Sequence, residues 1–105
     1  MNKRELIAIA KKHYNDEQVA QLSAAIDYAV KMHEGQLRKS GEPYVTHTIE
    51  VSSYLAAWGM DIDTAIAGVL HDTIEDTSAT LEDVEKRFGR DVAFLVDGVT
   101  KVGQA

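Results

Sequence analysis

Apolar residues in this chain recur every three to four positions almost from end to end, and they rarely alternate one by one. A spacing near 3.6 lines one face of an α-helix, whereas a spacing of two lines one face of a strand. The only proline, Pro43, lies mid-chain, so little else interrupts the helical pattern. The expectation is an all-α domain, a bundle of about five or six helices. With 105 residues and no repeat, linker or low-complexity tract, residues 1–105 read as a single small domain.

Taken in order, a first helix is expected from Lys3 to Tyr14, with Leu6, Ile7 and Ala10 on its apolar side. Asn15 or Asp16 can cap a second helix, which carries Val19, Leu22, Ile26, Ala29, Val30 and His33 on one stripe and is ended by Gly35. His33 continues that stripe, so a packed structural role is the expectation for it. Gly35 to His47 is the one long segment without periodicity, punctuated by Gly41 and Pro43. Thr46 is a plausible N-cap for a third helix that runs to Trp58, buries Ile49, Val51, Tyr54 and Leu55, and stops at Gly59. A fourth helix begins near Asp61 or Asp63. Thr80 and Asp83 have capping-box spacing ahead of a short helix with Leu81, Val84 and Phe88 that ends at Gly89. The last helix holds Val92, Leu95, Val96 and Val99, with Asp97, Thr100 and Lys101 as polar positions near its end.

Chemistry concentrates in the fourth helix. Ile62, Ala65, Ile66, Val69 and Leu70 give it an apolar face, and His71, Asp72, Glu75 and Asp76 then follow within six residues. His71 and Glu75 are four apart, as are Asp72 and Asp76, so a continued helix places them in two adjacent rows on one side. Acidic groups at a helix C-terminus oppose the helix dipole, which makes a merely solvated end a poor account of the cluster. An imidazole beside a carboxylate is a common start to a divalent-metal site. Ala67 and Gly68, one turn earlier, leave room for a close neighbour or ligand. In the aperiodic segment, Arg38 and Lys39 are adjacent cations that suit a phosphate clamp, Arg as a bidentate fork and Lys as a point charge. His47 lies beside this basic turn and is a candidate second imidazole.

Composition narrows the partners. The net charge is −6 and the pI about 5.1, which argues against a general nucleic-acid or anionic-membrane binder. A small phosphorylated ligand remains compatible through the local basic turn. With no cysteine, any metal must be held by His and carboxylate groups. No stretch approaches transmembrane length and the N-terminus lacks the apolar run of a signal peptide, so a cytoplasmic protein is the expectation.

Three stretches, HEGQLRKSGEPYVTH, AIAGVLHDTIEDT and FGRDVAFLVDGVTK, together resemble the hydrolase domain of the RelA/SpoT family, over about Ala25 to Val102. The resemblance implies a helical fold of the HD phosphohydrolase superfamily. It further implies Mn²⁺-dependent removal of pyrophosphate from the 3′ position of ppGpp or pppGpp. Residue by residue, it makes His47, His71 and Asp72 the metal ligands. Glu75 and Asp76 match the acidic pair around the attacking water, Arg38 matches a residue at the active-site mouth, and Lys39 lies in the same basic turn. Tyr44 and Thr48 lie nearby without an assigned role. Thr48 stands where the family usually has Pro, in a first helical turn that accepts either. The family's later helix of the type LADRLHN, with a further metal-binding Asp and a nucleotide-contacting Asn, has no counterpart after Lys101.

Two classes of function follow. One is the hydrolase; the other is a non-catalytic nucleotide-binding or regulatory module. Hydrolysis of another phosphorylated nucleotide is a third reading. The expectation is an N-terminal portion of a larger hydrolase domain. Its final helix would expose an apolar face and favour self-association, making a homo-oligomer through the C-terminal helix an expected partner state.

Overall fold

Caps written in the sequence set most of the helix starts. In the computed structural model, which describes residues 2–37, 39–43 and 45–104 and side chains as far as residue 99, Asn2 and Asn15 each open a helix with a reciprocal capping box. Asn15 Oδ1 accepts from Gln18 N at 2.8 Å, and Gln18 Oε1 accepts from Asn15 N at 3.0 Å. Two orphan N–H groups at the helix start are thereby paired. The helices are α1 (Lys3–Ala10), α2 (Asp16–Met32), α3 (Val45–Ala57), α4 (Ile62–Asp76), α5 (Leu81–Phe88) and α6 (Arg90–Gln104). No strand occurs among the described residues, only an isolated bridge between Leu37 and Pro43 that closes the aperiodic loop. No helix among those residues is long and apolar enough to cross a membrane.

α4 is the central element, packed against α2, α3 and α6; α5 lies on α6, and α1 covers α2 and α3. The reason is its composition. Ala65, Ile66, Ala67, Gly68, Val69 and Leu70 are all buried, so α4 is apolar on more than one side and needs neighbours on each. Around it the core takes Leu6, Leu22, Ile26, Val84, Val92 and Val96, all without measurable exposure. Removing such side chains from water is the main drive for folding, at roughly 1.5–3 kcal/mol each.

A polar clasp fixes α5 to α2. The Tyr28 hydroxyl donates to Asp83 Oδ2 at 2.6 Å, and Arg87 Nε donates to the same oxygen at 3.0 Å. The Arg87 guanidinium lies 4.9 Å from the Tyr28 ring centroid, and Phe88 meets that ring edge-on. Burial first, and then the hydrogen bond to Asp83, push the Tyr28 phenol up to about 12. The hydrogen bond from Tyr28, followed by that from Arg87, holds the Asp83 carboxyl low.

Several details depart from the expected pattern. α1 ends at Ala10, because His13 N and Tyr14 N both turn back to the Ala10 carbonyl. Tyr14 instead donates its hydroxyl to the Met60 carbonyl at 2.6 Å, tying that turn to the α3–α4 connection. α3 begins at Val45, so Thr46 is a helical residue and not the cap. Asp83 completes no capping box: Thr80 accepts from Asp83 N, but the Asp83 carboxylate is committed to the clasp. Tyr54 is exposed and stacks on Trp58 at 6.2 Å, and Val30 and Val99 are also exposed. The face α3 buries carries Thr48, Ser52 and Ser53 in addition to Ile49. Their hydroxyls reach carbonyls of Val45, Ala65 and Glu50, and none of the described buried side-chain polar atoms lacks a partner.

Candidate functional site

The site begins at the seam between α3 and α4. Ser52 Oγ donates to the Ala65 carbonyl at 2.9 Å. A methyl built on Gly68 would stand 2.7 Å from Leu55 Cδ1 and 3.7 Å from Val51 Cγ1. Gly68 therefore lets the two helices approach closely, the role its small size suggested. Only residues 58–61 join the helices, so they run antiparallel. Counting along the seam from the Val51–Gly68 contact brings the first turn of α3, with His47, level with His71 and Asp72.

His71 is oriented by its own helix. Its Nδ1 lies 2.8 Å from the Gly68 carbonyl, which can only accept, so the proton sits on Nδ1. In the neutral ring Nε2 then carries the free lone pair. That nitrogen is 3.2 Å from Asp72 Oδ1, and the two side chains are 22% and 14% exposed. With the ring neutral, two acceptors face each other in a partly desolvated position, an arrangement that a proton or a bound cation satisfies. A carbonyl holding the far ring nitrogen is also how proteins set metal-binding imidazoles. The donor set, nitrogen and oxygen with no sulfur, suits a divalent transition metal.

Glu75 and Asp76 follow on the exposed last turn of α4, as their spacing implied. His47 is half-buried in the first turn of α3. Among the described residues no three His, Asp or Glu side chains are gathered closely enough to hold one ion, and His71 with Asp72 is the pair in contact. Lys39 is exposed in the loop closed by Leu37 and Pro43. Arg38 and Tyr44 lie outside the described residues. Below His71 an apolar groove of about 290 Å³ opens between α3, α4 and α6, bordered by Val51, Leu55, Ala67, Leu95 and Val99.

Two residues near the site escaped the sequence reading. Gln36 donates its Nε2 to the Asp76 carbonyl at 2.8 Å. Thr73, fully buried, lies 3.1 Å through its hydroxyl from His33 Nε2. Thr73 could have been found as the one polar residue continuing the apolar row of Ile66, Val69 and Leu70. Gln36 has no local signature, because its partner lies 40 positions away. His33 itself is packed and hydrogen-bonded at both ring nitrogens, as expected of a structural histidine.

A central helix packed on three others and carrying a His-Asp pair near its C-terminal end defines a class, and the chain belongs to the HD domain family, whose model matches residues 25–105. Within that class its similarity is to proteins of the RelA/SpoT type. It is 46% identical over 97 residues to a probable GTP pyrophosphokinase of Mycobacterium leprae. It is 47% identical over 92 residues to a guanosine-3′,5′-bis(diphosphate) 3′-pyrophosphohydrolase of Aquifex aeolicus, and 48% identical over 87 residues to the bifunctional (p)ppGpp synthase/hydrolase SpoT of Escherichia coli. These matches take in 92%, 88% and 83% of the chain but only 12%, 13% and 12% of the relatives. A solved structure of a metazoan ortholog of SpoT that hydrolyses ppGpp superposes with a TM-score of 0.73 at 41% identity, covering 83% of this chain and 49% of that one.

Proposed function

We propose that this chain is a metal-dependent phosphohydrolase unit of the RelA/SpoT type, acting on the 3′-pyrophosphate of ppGpp or pppGpp with Mn²⁺ as cofactor. The observation that carries the reading is the His71–Asp72 pair, whose Nε2 lone pair and carboxylate oxygen face each other at 3.2 Å while the Gly68 carbonyl fixes the ring. Names of the relatives supply the substrate class. His71, Asp72 and His47 would hold the ion, which when bound would lower the pKa of water and offset charge on the phosphoryl group.

The chain's own groups divide the remaining work. Glu75 or Asp76, on the exposed turn beside the pair, accepts the proton of the attacking water. The water oxygen bonds to phosphorus, the bond from phosphorus to the 3′ oxygen breaks, and that oxygen leaves with a proton. Lys39 and Arg38 offset the polyphosphate charge that a chain of net charge −6 otherwise repels.

Calorimetry with Mn²⁺, followed by a ppGpp hydrolysis assay, tests this on wild type and on His71→Ala, His47→Ala and Asp72→Asn. Saturable binding that each substitution weakens about tenfold or more is expected. Binding and turnover indifferent to all three would overturn the reading. ppGpp binding with full Mn²⁺ affinity and no turnover would move the chain to the non-catalytic class.

A further inference from the structure

A hydrogen-bonded relay runs from the end of α2 to the acidic turn of α4, and its direction is forced. The Asp76 carbonyl can only accept, so the Gln36 amide presents Nε2 to it, at 2.8 Å. Gln36 Oε1 therefore faces His33 Nδ1, 3.0 Å away, and Nδ1 carries the proton. In the neutral ring His33 Nε2 then accepts from the Thr73 hydroxyl, 3.1 Å away. Both ends of the relay lie on the last turn of α4, three residues apart, between and beside Asp72, Glu75 and Asp76. The Asp76 carbonyl is one of the helix-terminal acceptors that α4 cannot pair internally. Its donor comes from 40 residues earlier in the chain.

We infer that His33, Gln36 and Thr73 are positioning residues, a three-membered tether that holds the His71–Asp76 turn in the geometry its chemistry needs. The inference rests on the reading of that turn as the metal and general-base turn. The last turn of α4 carries Glu75 and Asp76, with Asp72 just before it, and no basic residue, so its own helix dipole opposes it and an external donor to its last carbonyls holds it against fraying. The tether is also the entry to the basic loop, because Gln36 directly precedes Leu37, whose pairing with Pro43 closes the loop carrying Lys39. One set of hydrogen bonds thus fixes the acidic turn and the root of the basic loop to each other. His33 and Thr73 are buried, so the link is shielded from water along most of its length.

The test compares wild type with Gln36→Leu, Gln36→Glu, Thr73→Val and Thr73→Ser by amide hydrogen exchange, then by Mn²⁺ titration. Gln36→Leu keeps bulk at a half-buried position and removes both hydrogen bonds. Gln36→Glu keeps the acceptor for His33 and loses the donor to Asp76. Thr73→Val keeps shape and loses the hydroxyl, and Thr73→Ser restores it. In Gln36→Leu and Thr73→Val, exchange at residues 75–77 should rise about tenfold while residues 65–70 hold their protection, and Mn²⁺ affinity should fall about tenfold, as for other groups that orient metal ligands. Thr73→Ser should match wild type, and Gln36→Glu should behave like Gln36→Leu at residues 75–77. Unchanged exchange at 75–77 in both Gln36→Leu and Thr73→Val overturns the tether. Wild type that binds no Mn²⁺ overturns the functional reading instead, and the exchange data then decide the tether by themselves.

Discussion

Gly68→Ala should leave stability nearly unchanged despite a clash that looks prohibitive. The added methyl would stand 2.7 Å from Leu55 Cδ1, and an ordinary carbon contact needs that atom to retreat by about 1 Å. Leu55 is only partly buried and borders the open groove between α3, α4 and α6, so it has space to turn. An off-rotamer displacement of this kind costs about 0.5–1.5 kcal/mol. Replacing Gly by Ala inside a helix returns about 0.8–1.0 kcal/mol. The two nearly cancel, and the net change should stay within about 1 kcal/mol. Gly68→Val is different, because its Cβ already stands 3.7 Å from Val51 Cγ1 and 3.8 Å from Ser52 Cα, which leaves little room for two further methyls, and a backbone atom cannot turn away. It should cost about 1–3 kcal/mol through overpacking, and, on the proposed metal reading, it should weaken Mn²⁺ binding by spreading the seam between α3 and α4. Urea melts of both variants, with Leu55→Ala added to close a double-mutant cycle, provide the measurement. A loss above about 2 kcal/mol in Gly68→Ala, or equal losses in the two variants, would show that the seam does not yield at Leu55 and that the reasoning is wrong.

Three further outcomes are expected. The Tyr28 phenol is pushed up to about 12 from an ordinary 10.0, so the neutral form belongs to the folded state; its contribution is full below pH 10 and is lost as pH rises toward 12. Wild type should lose up to about 2 kcal/mol more than Tyr28→Phe across that window, and parallel stability curves would refute the assignment. Asn15→Ala removes a cap and its box and should cost about 1 kcal/mol, read as a melting shift of about 4–8 °C; a shift below about 1 °C would show the box to be idle. Phe94, 75% exposed, and Val99, 51% exposed, flank an apolar trough on α6. Light scattering should show concentration-dependent association that Phe94→Ser reduces, whereas a monomer at all concentrations in both proteins would contradict it.

Local rules explain what was legible in the sequence. Asn15 with Gln18, Asp61 and Thr80 mark helix starts through contacts three residues long, and such contacts leave a spacing signature. Ala67 and Gly68 signalled close approach because size alone decides it. Periodicity, by contrast, fixes a stripe and not its width, so Tyr54 and Val30 were placed inside when they sit at its edge. Thr48, Ser52 and Ser53 were invisible as core residues, since each is acceptable there only because a particular carbonyl lies within reach. The same holds at the site. His71 and Asp72 are neighbours in sequence and could be read together, while Gln36 meets the Asp76 carbonyl, and His33 meets Thr73, only after α2 has packed on α4.

The acidic end of α4 sets a limit on how this domain could be improved by design. With no basic residue in that turn, replacing Glu75 by Lys or Asp72 by Asn would relieve the opposition to the dipole and stabilise the helix by about 0.3–1 kcal/mol per site. Screens that select for thermal robustness alone would therefore drift toward those changes and, on the proposed reading, erase the chemistry they left untested. On the proposed reading, the turn is the place where this fold would forgo stability for an activity, and a melting temperature that rises there is a warning rather than an achievement.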